Sequence, residues 1–132
     1  FAGIKHTSND YFALERIKTR FPEKVVYNGF DEMFLAGISM GADGGIGSTY
    51  NFMAEKFISI CDLVSTGRAD EALVVQHDIN TIIKEIIKVG VIPGVKAVMN
   101  ILGFDFGVAR APFRELSEQE IHTLREITLP LL

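Results

Sequence analysis

The chain has 132 residues, 48% hydrophobic and 23% charged, with a formal net charge of −4; these values belong to globular proteins rather than disordered ones. Its 13 Lys and Arg are scattered along an acidic chain, so no basic patch points to nucleic acid or to an anionic membrane surface. Cys61 is the single cysteine, which excludes an internal disulfide and any CxxC metal or redox pair. Set in the apolar stretch FISICDLV, it is expected to be a buried structural thiol in a reducing, cytoplasmic setting. No apolar run approaches the roughly 18 residues of a membrane span. The opening FAGIKHTSND starts in mid-strand, as a piece of a longer chain would.

Residues 1–6 alternate small and apolar types and read as a short strand. Thr7, Ser8, Asn9 and Asp10 are candidate N-caps for a helix with Tyr11, Leu14, Ile17 and Phe21 on one face, closed by Pro22. Residues 24–28 (KVVYN) form a second strand. A short helix over residues 31–40 should end at Gly41, where a left-handed C-cap is common. Residues 44–48 (GGIGS) read as a third, glycine-rich strand. From Asn51 the pattern is helical. One helix covers residues 52–64 with Gly67 at its end. A longer one, over residues 69–89, carries the stripe Val75, Ile79, Ile82, Ile83 and Ile86. A shorter segment starts at Pro93 and Gly94, with Val95, Val98, Met99 and Leu102 inward. Residues 103–116 are loop-like, and SEQE from Ser117 matches a capping box that opens the last helix.

The order strand, helix, strand, helix, strand argues for parallel βαβ units. Three parallel strands leave buried apolar faces bare and edges unpaired, and a (β/α)8 barrel takes about 250 residues. The expected fold is therefore α/β: the C-terminal part of a (β/α)8 TIM barrel, about strands 6–8, over residues 1–66, followed by a helical extension over residues 67–132.

Lys5 falls near the C-terminal end of the first strand, the face on which barrel active sites lie. Phe1, Gly3 and Lys5 share one side of that strand, and Gly3 leaves room beneath the lysine. A lysine in a crowded interior must work or be paired; a desolvated neutral amine attacks a ketone, and the resulting iminium stabilises the enamine left when an adjacent carbon–carbon bond breaks. A solvated strand-end lysine is the alternative. Asp31 and Glu32 follow the second strand, either as helix-dipole partners or as acceptors for the hydroxyls of a polyol. Gly44, Gly45, Gly47, Ser48 and Thr49 follow the third strand. There the glycines could cradle a phosphate, give backbone room to a sugar, or permit a tight strand. Their spacing is not that of a dinucleotide loop. His6, His77 and His122 show no ligand spacing, so no metal is expected.

Taken together, GIKHTSNDYFALERIK, YNGFDEMF and GADGGIGSTYN resemble the dihydrodipicolinate synthase and neuraminate lyase superfamily, most strongly over residues 3–51. Within it the resemblance is to members that cleave a sialic acid by retro-aldol reaction, giving pyruvate and N-acetylmannosamine. It implies that Lys5 forms a Schiff base with the C2 ketone and that Thr7 lies beside it. It further implies that Gly29, Asp31, Glu32 and Ser48 bind the hydroxylated tail, with Gly47 lending backbone contacts. The family's proton-shuttling tyrosine and the Ser/Thr pair that holds the substrate carboxylate are expected on an earlier strand; Tyr11, Tyr27 and Tyr50 do not match that tyrosine's motif. No cofactor is implied, since the lysine supplies the electron sink, and a homotetramer is the family's usual assembly. The rivals are another pyruvate-dependent aldolase, such as a dihydrodipicolinate synthase or a keto-deoxy-sugar-acid aldolase, and a non-catalytic sugar-acid binder on the same fold.

Overall fold

The computed structural model describes residues 1–132. Strands β1 (Gly3–His6), β2 (Val25–Asn28) and β3 (Gly44–Gly45) form one parallel sheet in the order β1-β2-β3. Lys5 pairs with Tyr27, and Tyr27 with Gly44. Side chains alternate across a strand, so Lys5 and Tyr27 project from one face while His6, Val26 and Asn28 project from the other. The second face is covered: Leu14 of α1 (Tyr11–Arg20) packs with Val26, and Gly37 of α2 (Phe34–Ser39) lies against Asn28. The first face is bare, and Lys5 and Tyr27 are exposed.

Within the chain the sheet is open, three parallel strands with helices, and the expected place as the C-terminal part of a barrel is not upheld. Neighbouring strands rotate by only roughly 20–25°, so three of them cannot curl shut around an interior. The third strand is also shorter than residues 44–48. Ile46 still donates to the Asn28 carbonyl (2.9 Å), after which the backbone leaves the sheet.

The helices follow from local chemistry. Asp10 caps α1, its carboxylate accepting from the Ala13 N–H at 2.9 Å. Phe21 falls outside that helix and is exposed, not inward. Residues 31–40 divide into a 3₁₀ turn (Asp31–Met33) and α2. Helix α3 (Tyr50–Ser65) begins two residues before the expected start and is kinked at Met53. Helix α4 (Ala69–Val89) buries Ile79, Ile82, Ile83 and Ile86, with Val75 partly buried beside them. Each such burial contributes about 1.5–3 kcal/mol. Gly90 (φ +94°) turns the chain into α5 (Val91–Ile101). That helix starts before Pro93 because a first turn needs no N–H from the proline. Helix α6 (Glu118–Thr128) opens on the expected capping box: Ser117 Oγ accepts the Glu120 N–H and Glu120 accepts the Ser117 N–H at 2.8 Å. Hydrogen bonds from Arg114, then from Ser117, hold the Glu120 carboxyl down at about 2.

One apolar cluster joins Phe34, Met53, Phe57 and Ile60 to the buried faces of α4, α5 and α6. Cys61 is partly buried at its margin rather than fully enclosed, and burial raises its thiol pKa. No helix is long and apolar enough to cross a membrane.

Candidate functional site

The ends of β1, β2 and β3 bring the candidate residues together. Lys5, Thr7, Gly29, Asp31, Glu32, Gly47 and Ser48 all line one cavity of about 250 Å³. A slightly larger cleft of about 280 Å³, between α5 and α6, holds none of them. Parallel pairing is the cause: the Gly29 N–H donates to the His6 carbonyl at 2.8 Å, which sets Gly29 beside Thr7 and continues the ladder past the strand ends.

Two glycines are required by close approach. A Cβ at Gly29 would overlap Thr7 Oγ1 and come within 2.9 Å of Lys5 Cε. One at Gly47 would overlap the Asp31 carboxylate. Glycine at 29 thus leaves the space that the lysine chain occupies, and glycine at 47 leaves Asp31 its place. The clearance at Gly47 thus serves a side chain of the protein itself, a use that none of the readings of the glycine-rich loop had named.

Asp31 and Glu32 are adjacent, but their surroundings differ. Asp31 is buried, and its Oδ2 accepts from the Thr49 N–H (2.9 Å) and Thr49 Oγ1 (2.6 Å). It therefore ties the turn after β2 to the start of α3. Glu32 and Lys5 form no ion pair within the chain, and both line the cavity. The two carboxylates act on the nearby phenols. Burial first, and then the charge of Glu32, raises the Tyr11 pKa; burial and then Asp31 raise that of Tyr50. Both phenols are thereby kept protonated, and neither they nor Tyr27 line the cavity.

Within this chain the sheet face that carries Lys5 is uncovered, and its side chain is exposed. Sequence reasoning missed the opposite wall. Ile83, Ile87 and Val91, from the end of α4 and the start of α5, line the cavity together with Phe30 and Thr49. The half-exposure of Ile87 and Val91 is the only signal, and it exists only in the folded chain. His6 is used structurally, Nε2 lying 3.0 Å from the Asp10 carbonyl, and no group of three or more His, Cys, Asp or Glu is arranged to hold a metal ion.

Known proteins are similar to this chain. The chain is 50% identical over 130 residues to an N-acetylneuraminate lyase of Rhizobium meliloti, covering 98% of this chain and 44% of that protein. The crystal structure of N-acetylneuraminate lyase from Fusobacterium nucleatum complexed with pyruvate superposes with a TM-score of 0.94 at 36% identity, covering 100% of this chain and 45% of that one. The structure of CdNal from Clostridium difficile in complex with mannosamine gives 0.94 at 33% identity, covering 100% and 46%. The chain thus spans less than half the length of the relatives it matches, and its expected place as the last three-eighths of a barrel is withdrawn. A sequence profile of the dihydrodipicolinate synthetase family matches residues 1–129, and the chain belongs to that family.

Proposed function

We propose that this chain contributes the Schiff-base lysine and the polyol-binding wall of a carbon–carbon lyase that cleaves N-acetylneuraminate to pyruvate and N-acetylmannosamine. The observation that carries the reading is the convergence of Lys5, Asp31, Glu32 and Ser48 on one cavity. An amine that shares a cavity with two carboxylates and a hydroxyl suits a keto acid with a long hydroxylated tail better than a small aldehyde. The relatives' names and their pyruvate and mannosamine complexes support it.

On this reading the Lys5 amine adds to the C2 ketone, water leaves, and an iminium forms. A base takes the proton of the C4 hydroxyl, the C3–C4 bond breaks, and its electron pair moves into the iminium to give an enamine. N-acetylmannosamine departs as the aldehyde. The enamine is protonated at C3, and water then hydrolyses the iminium to release pyruvate and the free amine. Thr7 sits beside the lysine, and Gly29, Asp31, Glu32, Gly47 and Ser48 hold the tail. The proton acceptor comes from outside these residues, since the tyrosines near the site are held protonated or lie off the cavity. No cofactor is needed, because the lysine is the electron sink. A soluble homotetramer is the assembly this reading takes.

The test uses the longest chain that carries these residues. N-acetylneuraminate is added, the mixture is reduced with borohydride, and the adduct is mapped by peptide mass spectrometry. An adduct on Lys5 is expected. A folded protein that gives none, with pyruvate failing as well, would leave Lys5 as a structural residue and favour the non-catalytic binder. An adduct from pyruvate without cleavage of N-acetylneuraminate would favour another pyruvate-dependent aldolase.

A further inference from the structure

Helix α4 buries an amide among aliphatic side chains. Gln76 is 4% exposed, and the rest of the helix's buried face is Ala72, Ile79, Ile82, Ile83 and Ile86. A buried amide is expensive unless its hydrogen bonds are made. Those of Gln76 are directed at the loop that carries the acid pair: Oε1 accepts from the Leu35 N–H at 2.9 Å, and Nε2 donates to the Asp31 carbonyl at 3.2 Å and to Asn80 Oδ1 at 2.9 Å. One turn further along, Asn80 Nδ2 donates to the Glu32 carbonyl at 3.1 Å. Only this orientation of the two amides gives each oxygen an N–H and each nitrogen a carbonyl or carboxamide oxygen. Residues 76 and 80 lie on one face of a helix, so the pair grips consecutive peptide units of a turn that is about 45 residues distant in sequence.

We propose that Gln76 and Asn80 are positioning residues for the polyol end of the site, setting the Asp31–Glu32 backbone at a defined distance from Lys5. The proposal rests on the functional reading above. An apolar side chain at position 76 would fill the same space on a helix face otherwise aliphatic, but it would leave the Leu35 N–H and the Asp31 carbonyl without partners. Besides satisfying those groups, the arrangement fixes the turn beneath two cavity-lining side chains, and small misplacements of binding groups are costly to catalysis. Neither amide lines the cavity, so their effect passes through Asp31 and Glu32.

The two ends of the site can be read separately in the longest chain carrying these residues. Borohydride trapping with pyruvate reports Lys5 alone, and cleavage of N-acetylneuraminate reports Lys5 together with the tail-binding wall. Gln76→Leu is expected to lower kcat/KM for cleavage about tenfold or more, and Asn80→Ala about three- to tenfold, with KM rising, while pyruvate trapping stays at the parent rate. Asn80→Ala removes two hydrogen bonds, to the Glu32 carbonyl and from Gln76 Nε2, but from a partly exposed side chain, so it keeps the test alive if Gln76→Leu does not fold. Unchanged cleavage in a folded variant would overturn the proposal. So would cleavage and pyruvate trapping falling together, which marks general loosening. If the parent protein itself gives no adduct, the functional reading fails and the positioning role falls with it.

Discussion

Residues 1–49 and residues 50–132 are built on different principles. In the first region a buried apolar cluster contains only Leu14, Val26 and Ala42, and much of what is buried there is polar: His6, Asn28, Asp31 and Thr49. In the second, α3 to α6 supply all but Phe34 of an 11-residue aliphatic and aromatic cluster. The side chains that could do chemistry come from the weakly packed region, at the ends of short strands. The strongly packed region supplies a wall, through Ile83, Ile87 and Val91, and a grip, through Gln76 and Asn80. Reactive groups sit where the chain is shaped by hydrogen bonds and glycine clearances, and rigidity is brought to them from a core that has no chemistry of its own.

The sharpest test of that division separates activity from stability. Lys5→Met should abolish the trapped adduct and lower cleavage at least about a thousandfold, while shifting stability by no more than about 0.5 kcal/mol because the side chain is exposed. A chemical melt and a cleavage assay on the same variant check both halves. A large loss of stability would mean that the lysine also holds the sheet together.

Core truncations should behave in the opposite way. Ile82→Ala, at a site with no exposure in the large cluster, is expected to lower unfolding free energy by about 3–5 kcal/mol, and Leu14→Ala, in the small cluster, by about 2–3 kcal/mol. Urea melts decide the order. Equal losses would show that the two clusters unfold as one unit with no weaker region.

Gly47→Ala joins the two descriptions. Its methyl group would meet the Asp31 carboxylate and push it from Thr49. The expected result is about a tenfold fall in kcat/KM, equivalent to ~1.4 kcal/mol, with pyruvate trapping retained. Loss of trapping as well would place the disturbance at Lys5 rather than at the acid pair.

The smallest effect lies farthest from the site. Ser117→Ala removes the cap of α6 and should destabilise by about 1 kcal/mol. Glu120, its partner in the box, has a folded-state pKa lowered to about 2 by Arg114 and Ser117. A lowered carboxyl pKa stabilises the fold above the unfolded value, and the contribution is lost as pH falls through the folded one. The penalty of Glu120→Gln should therefore be full at neutral pH and fade between about pH 4.5 and pH 2, as followed by thermal melts across that range. A penalty independent of pH would show that the box works through geometry alone.

Much of this was legible in the residue order. The α4 stripe, the capping box at Ser117 and the parallel strand order are periodic or local, and such signals survive without tertiary context. Lys5, Asp31, Glu32, Gly47 and Ser48 were legible as strand-end residues, because strand ends in parallel units converge on one edge; Thr7 and Gly29 entered through the family resemblance. The wall formed by Ile87 and Val91 was not, since a half-exposed aliphatic side chain looks like any other in a helix. The grip of Gln76 was hidden for a similar reason: a glutamine in a long helix reads as a solvent-facing residue.

By itself, the amino-acid order determined which segments become strands and helices and which residues stand at the strand ends, because periodicity and alternation act over a few neighbouring residues. Only the tertiary structure decided that Asp31 is bound to Thr49 while Glu32 makes no ion pair, and that α4 holds the acid-bearing turn. Those outcomes depend on the clearance left by a missing Cβ and on hydrogen bonds between residues distant in the chain, neither of which a local pattern encodes.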